Sequence, residues 1–196
     1  MSAVDHHVLC GGGLGHQRER AGEDDGFQEG PPFRRRGAFG AAGVKRRILH
    51  INDMKLFTIG YEDEPQPAVI ERLKAAGVRL LIDVRAVAAS RRAGFSKTVL
   101  GESLREAEID YVHLRSLGTP KAGRDAARKG RIDEMRAIFA DHMAEPDSQL
   151  AFEQLRDLAR ERPAALLCFE ADHAGCHRSV LAERLAREDG FEVVNL

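Results

Sequence analysis

The chain has 196 residues, 43% of them hydrophobic, enough for one buried core and one domain. Its 30 basic and 31 acidic side chains leave a formal charge of −1, so no global field draws it to nucleic acid or an anionic membrane, and any anion site must be local. Three cysteines, an odd number, argue against a disulfide framework; no apolar run approaches the roughly 18–20 residues of a membrane span, and a cytoplasmic protein is expected.

Residues 1–53 differ in character from the remainder. Ten of the 19 glycines fall there, with Gly11-Gly12-Gly13, Pro31-Pro32 and Arg34-Arg35-Arg36, and no periodic pattern persists. Low apolar content of this kind does not offset the entropy of ordering, so a disordered leader, or translated sequence upstream of a start at Met54, is predicted. The acids Glu19, Glu23, Asp24, Asp25 and Glu29 are out of place in a transit peptide. Gly11-Gly12-Gly13-Leu14-Gly15 has no strand before it and no helix after it, which makes a phosphate loop a poor reading.

From Met54 onward the pattern is regular. Lys55 to Ile59 reads as a strand, Pro67 to Ala76 as a helix with Val69, Ile70, Leu73 and Ala76 on one face, and Gly77 as its stop. Val78 to Val84 is a near-continuous apolar run, as in a strand covered on both faces. Ser96 is a candidate cap for a helix over Lys97 to Ala107. Asp110 to Leu114 is a third strand, two or three helices follow between about 121 and 162, and Ala164 to Phe169 is a fourth strand. A helix with apolar spacing over Ser179 to Ala186 ends at Gly190, and Phe191 to Leu196 forms a last strand.

This alternation predicts an α/β fold: a single three-layer domain over 54–196, with a mostly parallel sheet of about five strands and helices on both faces. Ligands bind such sheets outside the carboxyl ends of the strands. Four loops meet there: Gly60-Tyr61-Glu62, Arg85 to Lys97, Arg115 to Lys121 and Glu170 to Ser179. Nearly every chemically capable residue of the ordered region lies in one of them.

Arg85, Arg91, Lys97 and Arg178 are the candidate anion-binding residues, since arginine offers a bidentate fork to phosphate or carboxylate. A structural ion pair of Arg85 with Asp83 or Glu170 is the competing reading. Glu170, Cys176 and His177 are the candidate catalytic groups: a carboxylate at a strand end, a thiol in the first turn of a helix, and an imidazole beside it. Cys168, inside its strand, reads as an inert core thiol. The set Cys168, His173, Cys176, His177 is too compressed for the usual zinc spacing, and neither a metal nor a cofactor is predicted. His113 reads as a hydrogen-bonded sheet histidine, and Tyr61 and Tyr111 as core rings.

The segments Thr58-Ile59-Gly60-Tyr61-Glu62, Asp83-Val84-Arg85 with Ser90-Arg91 and Gly94-Phe95-Ser96-Lys97, Leu117-Gly118-Thr119-Pro120, and Leu167-Cys168-Phe169-Glu170 with Cys176-His177-Arg178 closely resemble the family called domain of unknown function 488. The resemblance runs from Met54 to the C-terminus and implies a compact bacterial α/β domain without an assigned activity. Ala88-Ala89 stand where the family pattern carries a proline shortly before the Ser-Arg pair, which leaves that loop less rigid. Neither Cys168 nor Cys176 has the spacing to Arg178 of a cysteine phosphatase. The expectation is therefore a site for a small phosphorylated ligand, a nucleotide or a nucleic-acid end, with hydrolase or transferase chemistry where it turns over. The alternatives are a non-catalytic adaptor or RNA-docking module, and a thiol enzyme using Cys176.

Overall fold

The computed structural model describes residues 54–196; the predicted leader, residues 1–53, lies outside the described residues. Five strands, β1 (Lys55–Gly60), β2 (Leu80–Asp83), β3 (Asp110–His113), β4 (Ala164–Cys168) and β5 (Glu192–Asn195), form one sheet in the order β3-β2-β4-β1-β5. Every pairing is parallel. Six helices connect them: α1 (Gln66–Ala75), α2 (Lys97–Glu106), α3 (Lys121–Arg128), α4 (Ile132–Met143), α5 (Pro146–Glu161) and α6 (His177–Asp189). Among the described residues no helix is long and apolar enough to cross a membrane.

The alternation of the strands explains the layers. Phe57, Ile59, Leu81, Ala165 and Leu167 point to one face, where Val69 and Leu73 of α1 and Leu100 and Leu104 of α2 cover them. Leu56, Leu80, Ile82, Ala164 and Leu166 point to the other, beneath Phe139 of α4, Phe152 and Leu155 of α5, and Leu181 and Leu185 of α6. Each leucine, isoleucine or phenylalanine buried this way contributes roughly 1.5–3 kcal/mol. The three central strands are buried throughout except for Lys55, whereas β3 and β5 are the partly exposed edges.

Helix ends follow local chemistry. Gly77 and Gly190 take left-handed φ values of 72° and 79° just beyond α1 and α6, as predicted for both stops. Ser96 does occupy the N-cap position of α2, but its hydroxyl donates to the Ser90 carbonyl at 3.3 Å instead of capping the helix. It ties the loop after β2 to the helix that follows.

The strand order locates a crevice. β2 and β4 are neighbours, yet the chain leaves β2 toward α2 on one face and leaves β4 toward α6 on the other. Such a divergence opens a gap at the carboxyl edge.

Candidate functional site

Two glycines draw the loops together at that edge. A Cβ on Gly60 would stand 1.8 Å from the Glu170 carbonyl oxygen, and one on Gly118 would stand 2.0 Å from the Ala86 nitrogen. No side chain fits either place, so glycine there is a condition for the loops after β1 and β4, and after β2 and β3, to touch. Between them lies a cleft of about 830 Å³. Its walls come from the loops after β1, β2, β3 and β4, with α3 and Ile132 of α4 closing one side.

The end of β2 supplies a closed polar network. Asp83 is fully buried and Arg85 is 5% exposed. Arg85 Nε and Nη2 form a fork on the Asp83 carboxylate at 2.8 and 2.6 Å, while Nη1 donates to the Tyr61 hydroxyl at 2.6 Å and to the Phe95 carbonyl at 3.0 Å. The Tyr111 hydroxyl donates to Asp83 Oδ2 at 2.6 Å, and His113 Nε2 donates to the Arg85 carbonyl at 2.8 Å. Burial opposes the Arg85 charge, but Asp83 and then Tyr61 more than offset it, so its pKa is raised. Arg85 lines the cleft with its charge already matched. Of its two sequence readings, the structural ion pair is the one present, and Asp83 is the partner. His113 is the hydrogen-bonded sheet histidine its pattern suggested. Tyr61 and Tyr111 hold the network through their hydroxyls, and the Tyr61 ring stacks on Phe95 at 4.1 Å.

The end of β4 supplies a different cluster. Loop 169–176 folds back on itself: Asp172 Oδ1 accepts the Ala174 N–H at 2.9 Å, and the Cys176 N–H donates to the His173 carbonyl at 3.1 Å. Glu62 Oε2 accepts the Ala171 N–H at 3.1 Å, tying the loop to the end of β1. This fold-back brings Cys168 and Cys176 to one oxygen, Glu170 Oε2, at 2.9 and 3.1 Å. His177 Nδ1 lies 3.6 and 3.8 Å from the two sulfurs, and its Nε2 bonds the Val84 carbonyl at 2.9 Å. Since a carbonyl only accepts, Nε2 carries a proton and Nδ1 is the atom aimed at the thiols. Phe139 closes over the ring edge-on at 5.2 Å.

The same contacts set the charges. Burial pushes the Glu170 carboxyl up, but the two thiol hydrogen bonds and nearby His177 outweigh it, and its pKa is lowered. Burial opposes an imidazolium at His177, yet Cys176, the Val84 carbonyl and Glu170 raise its pKa. Burial, then Cys168, push the Cys176 thiol well above its ordinary value. Cys176 is the N-cap of α6, where its sulfur accepts the Arg178 N–H at 3.5 Å, but at 1% exposure and with its pKa pushed up it is poorly suited to attack.

The remaining cations divide into anchors and open groups. Arg178 is 1% exposed; it donates to the carbonyls of Glu170 and, at 3.0 Å, Ala171, and its Nε reaches the Thr58 hydroxyl at 3.4 Å. It clamps the loop from below and does not line the cleft. Lys97 is exposed on α2, away from the cleft lining. Arg91 is exposed at the cleft, and Arg92 and Arg124 are half-buried beside it. Among the described residues none of these three enters an ion pair, although Arg92 donates to the Glu64 carbonyl and Arg124 to that of Thr119. Arg128, also lining, is paired with Asp125.

Thus Arg85, Arg91, Glu170 and His177 meet at one cleft, Cys176 lies just behind it, and Lys97 and Arg178 stand apart. Arg92 stands beside Arg91 and Lys97 in the same basic loop of the sequence, but Arg124 and Arg128 were passed over. The signal for the last two was available: Arg124 and Arg128 stand four apart, on one side of the helix that follows Gly118-Thr119-Pro120. Glu170 rather than His173 completes the group of sulfur and nitrogen donors.

No match to the chain was found among curated proteins or solved structures. The profile described as Domain of unknown function DUF488 matches residues 66–185, well over half of the chain and every cleft-lining residue except Tyr61 and Glu62. The chain belongs to the DUF488 family.

Proposed function

We propose that the cleft binds a phosphorylated ligand, a nucleotide or the end of a nucleic acid, in a cytoplasmic setting. The observation that carries the reading is the group Arg91, Arg92 and Arg124: three guanidinium groups around one concavity, none in an ion pair among the described residues, in a chain whose overall charge is −1. They replace Arg85, Lys97 and Arg178 as the principal anion-holding groups, because Arg85 is neutralised by Asp83 and neither Arg178 nor Lys97 lines the cleft. Phe169, 39% exposed on the rim, offers a face for a base to stack on, which favours a nucleotide over bare phosphate. Glu170 and His177 are the groups through which hydrolysis or transfer would run, since both line the cleft. Attack by Cys176 gains no support from a buried thiol with a raised pKa.

The test is thermal unfolding of the full chain with phosphate, nucleoside monophosphates and short oligonucleotides. At a hundredfold excess over Kd, a bound ligand stabilises by about 2.7 kcal/mol, a rise in Tm of about 5–10 °C. The Arg91→Ala/Arg124→Ala chain loses that rise. No rise with any of these anions favours the adaptor.

A further inference from the structure

We propose that Cys168, Glu170, Cys176 and His177 hold a divalent metal ion of the zinc class, a reading that goes beyond the anion site and stands without it. One donor atom from each lies within 4.8 Å of all the others. A tetrahedral ion about 2.3 Å from sulfur and about 2.0–2.1 Å from nitrogen separates those two donors by about 3.5 Å. His177 Nδ1 lies 3.6 Å from Cys168 Sγ and 3.8 Å from Cys176 Sγ. The carboxylate oxygen, now at thiol hydrogen-bond distances of 2.9 and 3.1 Å, has to open by about 0.5 Å to become the fourth ligand.

The surroundings match what such a centre needs. Nε2 of His177, held by the Val84 carbonyl, fixes the ring with Nδ1 toward the sulfurs, the usual outer support of a ligating histidine. The Arg178 N–H already donates to the Cys176 sulfur. On binding, each thiol releases its proton to water and its sulfur lone pair to the ion. Two thiolates, one carboxylate and a divalent ion leave a net charge of −1. Beside it sits the Arg178 guanidinium, 1% exposed and in no ion pair among the described residues. A buried cation of that kind is what a buried anionic centre calls for. Glu170, half-buried on the cleft, is the ligand that a water or substrate oxygen can replace.

Cobalt(II) reports the coordination directly. Added to the metal-free full chain carrying Cys10→Ser, which keeps only Cys168 and Cys176 as thiols, it is expected to give a thiolate-to-cobalt charge-transfer band and intense tetrahedral d–d bands, saturating at about one ion per chain. Cys168→Ser is expected to lower the charge-transfer band by about half or more, and His173→Ala to leave the spectrum unchanged. No charge-transfer band in the Cys10→Ser chain overturns the proposal, whether or not the Cys168→Ser chain folds. A spectrum abolished by His173→Ala overturns it as well.

Discussion

The ends of β2 and β4 sit side by side at the carboxyl edge, and both gather charged and hydrogen-bonding groups, yet they are built on opposite terms. Around Asp83 and Arg85 every acid meets a base or a hydroxyl, and the carboxylate carries a bidentate guanidinium and a phenol. Around Glu170 two thiols converge on one oxygen, an imidazole nitrogen faces both sulfurs, and the buried Arg178 guanidinium bonds backbone carbonyls and no carboxylate. The first arrangement is complete in itself. The second presents donors that a further group can bind. Charge alone does not mark a site, because a satisfied ion pair rigidifies the loop it sits in while open groups beside it stay available for a ligand.

Breaking the closed side should have the largest effect. Asp83→Ala leaves Arg85 buried without its carboxylate, and about 3–5 kcal/mol of stability is expected to be lost by denaturant unfolding. Asp83→Ala together with Arg85→Met should recover much of that loss, as apolar replacement of both partners does elsewhere. A single-variant cost below 1 kcal/mol would show that the pair does not hold the end of β2 in place.

Gly60→Ala disturbs the open side. Its methyl group would overlap the Glu170 carbonyl oxygen, so the loop after β4 has to move, at about 3 kcal/mol. The anion-induced rise in Tm should vanish with it. A variant as stable and as responsive as the wild type would mean that the two loops do not depend on this contact.

Tyr111 gives the smallest and most specific effect. Burial first, and the Asp83 charge second, hold its phenol above the ordinary value of 10.0. A raised pKa means that the folded state prefers the protonated form. The resulting stability is full below pH 10 and is lost as pH climbs through the raised value. Tyr111→Phe should cost about 1.5 kcal/mol at neutral pH and flatten the alkaline decline of stability. Parallel declines in the two proteins would remove Tyr111 from the network.

Much of this was legible in the chain. The apolar runs Val78 to Val84 and Ala164 to Phe169 identified buried strands, observed as Leu80–Asp83 and Ala164–Cys168, and Gly77 and Gly190 marked helix stops. The order β3-β2-β4-β1-β5 was not legible, because crossovers of similar length allow several neighbours for each strand. Nor was the partner of Arg85: Asp83 and Glu170 were equal candidates until the side-chain alternation placed Asp83 on the same face two residues earlier. The sulfur cluster was hidden for another reason. Its pattern makes Cys168 a core thiol and Glu170 a carboxylate at a strand end, and only the fold-back of residues 169–176 over Gly60 brings them to a common point with Cys176 and His177.

In the proposed function, the open arginines around the cleft recognise a phosphate. Calorimetric titration of a nucleoside monophosphate and its parent nucleoside into the full chain, repeated with Arg91→Ala/Arg124→Ala, addresses it directly. Binding of the phosphorylated form, at least about tenfold weaker for the nucleoside and for the double variant, is the predicted result. Equal affinity for nucleoside and nucleotide, or an unchanged Kd in the double variant, would contradict it.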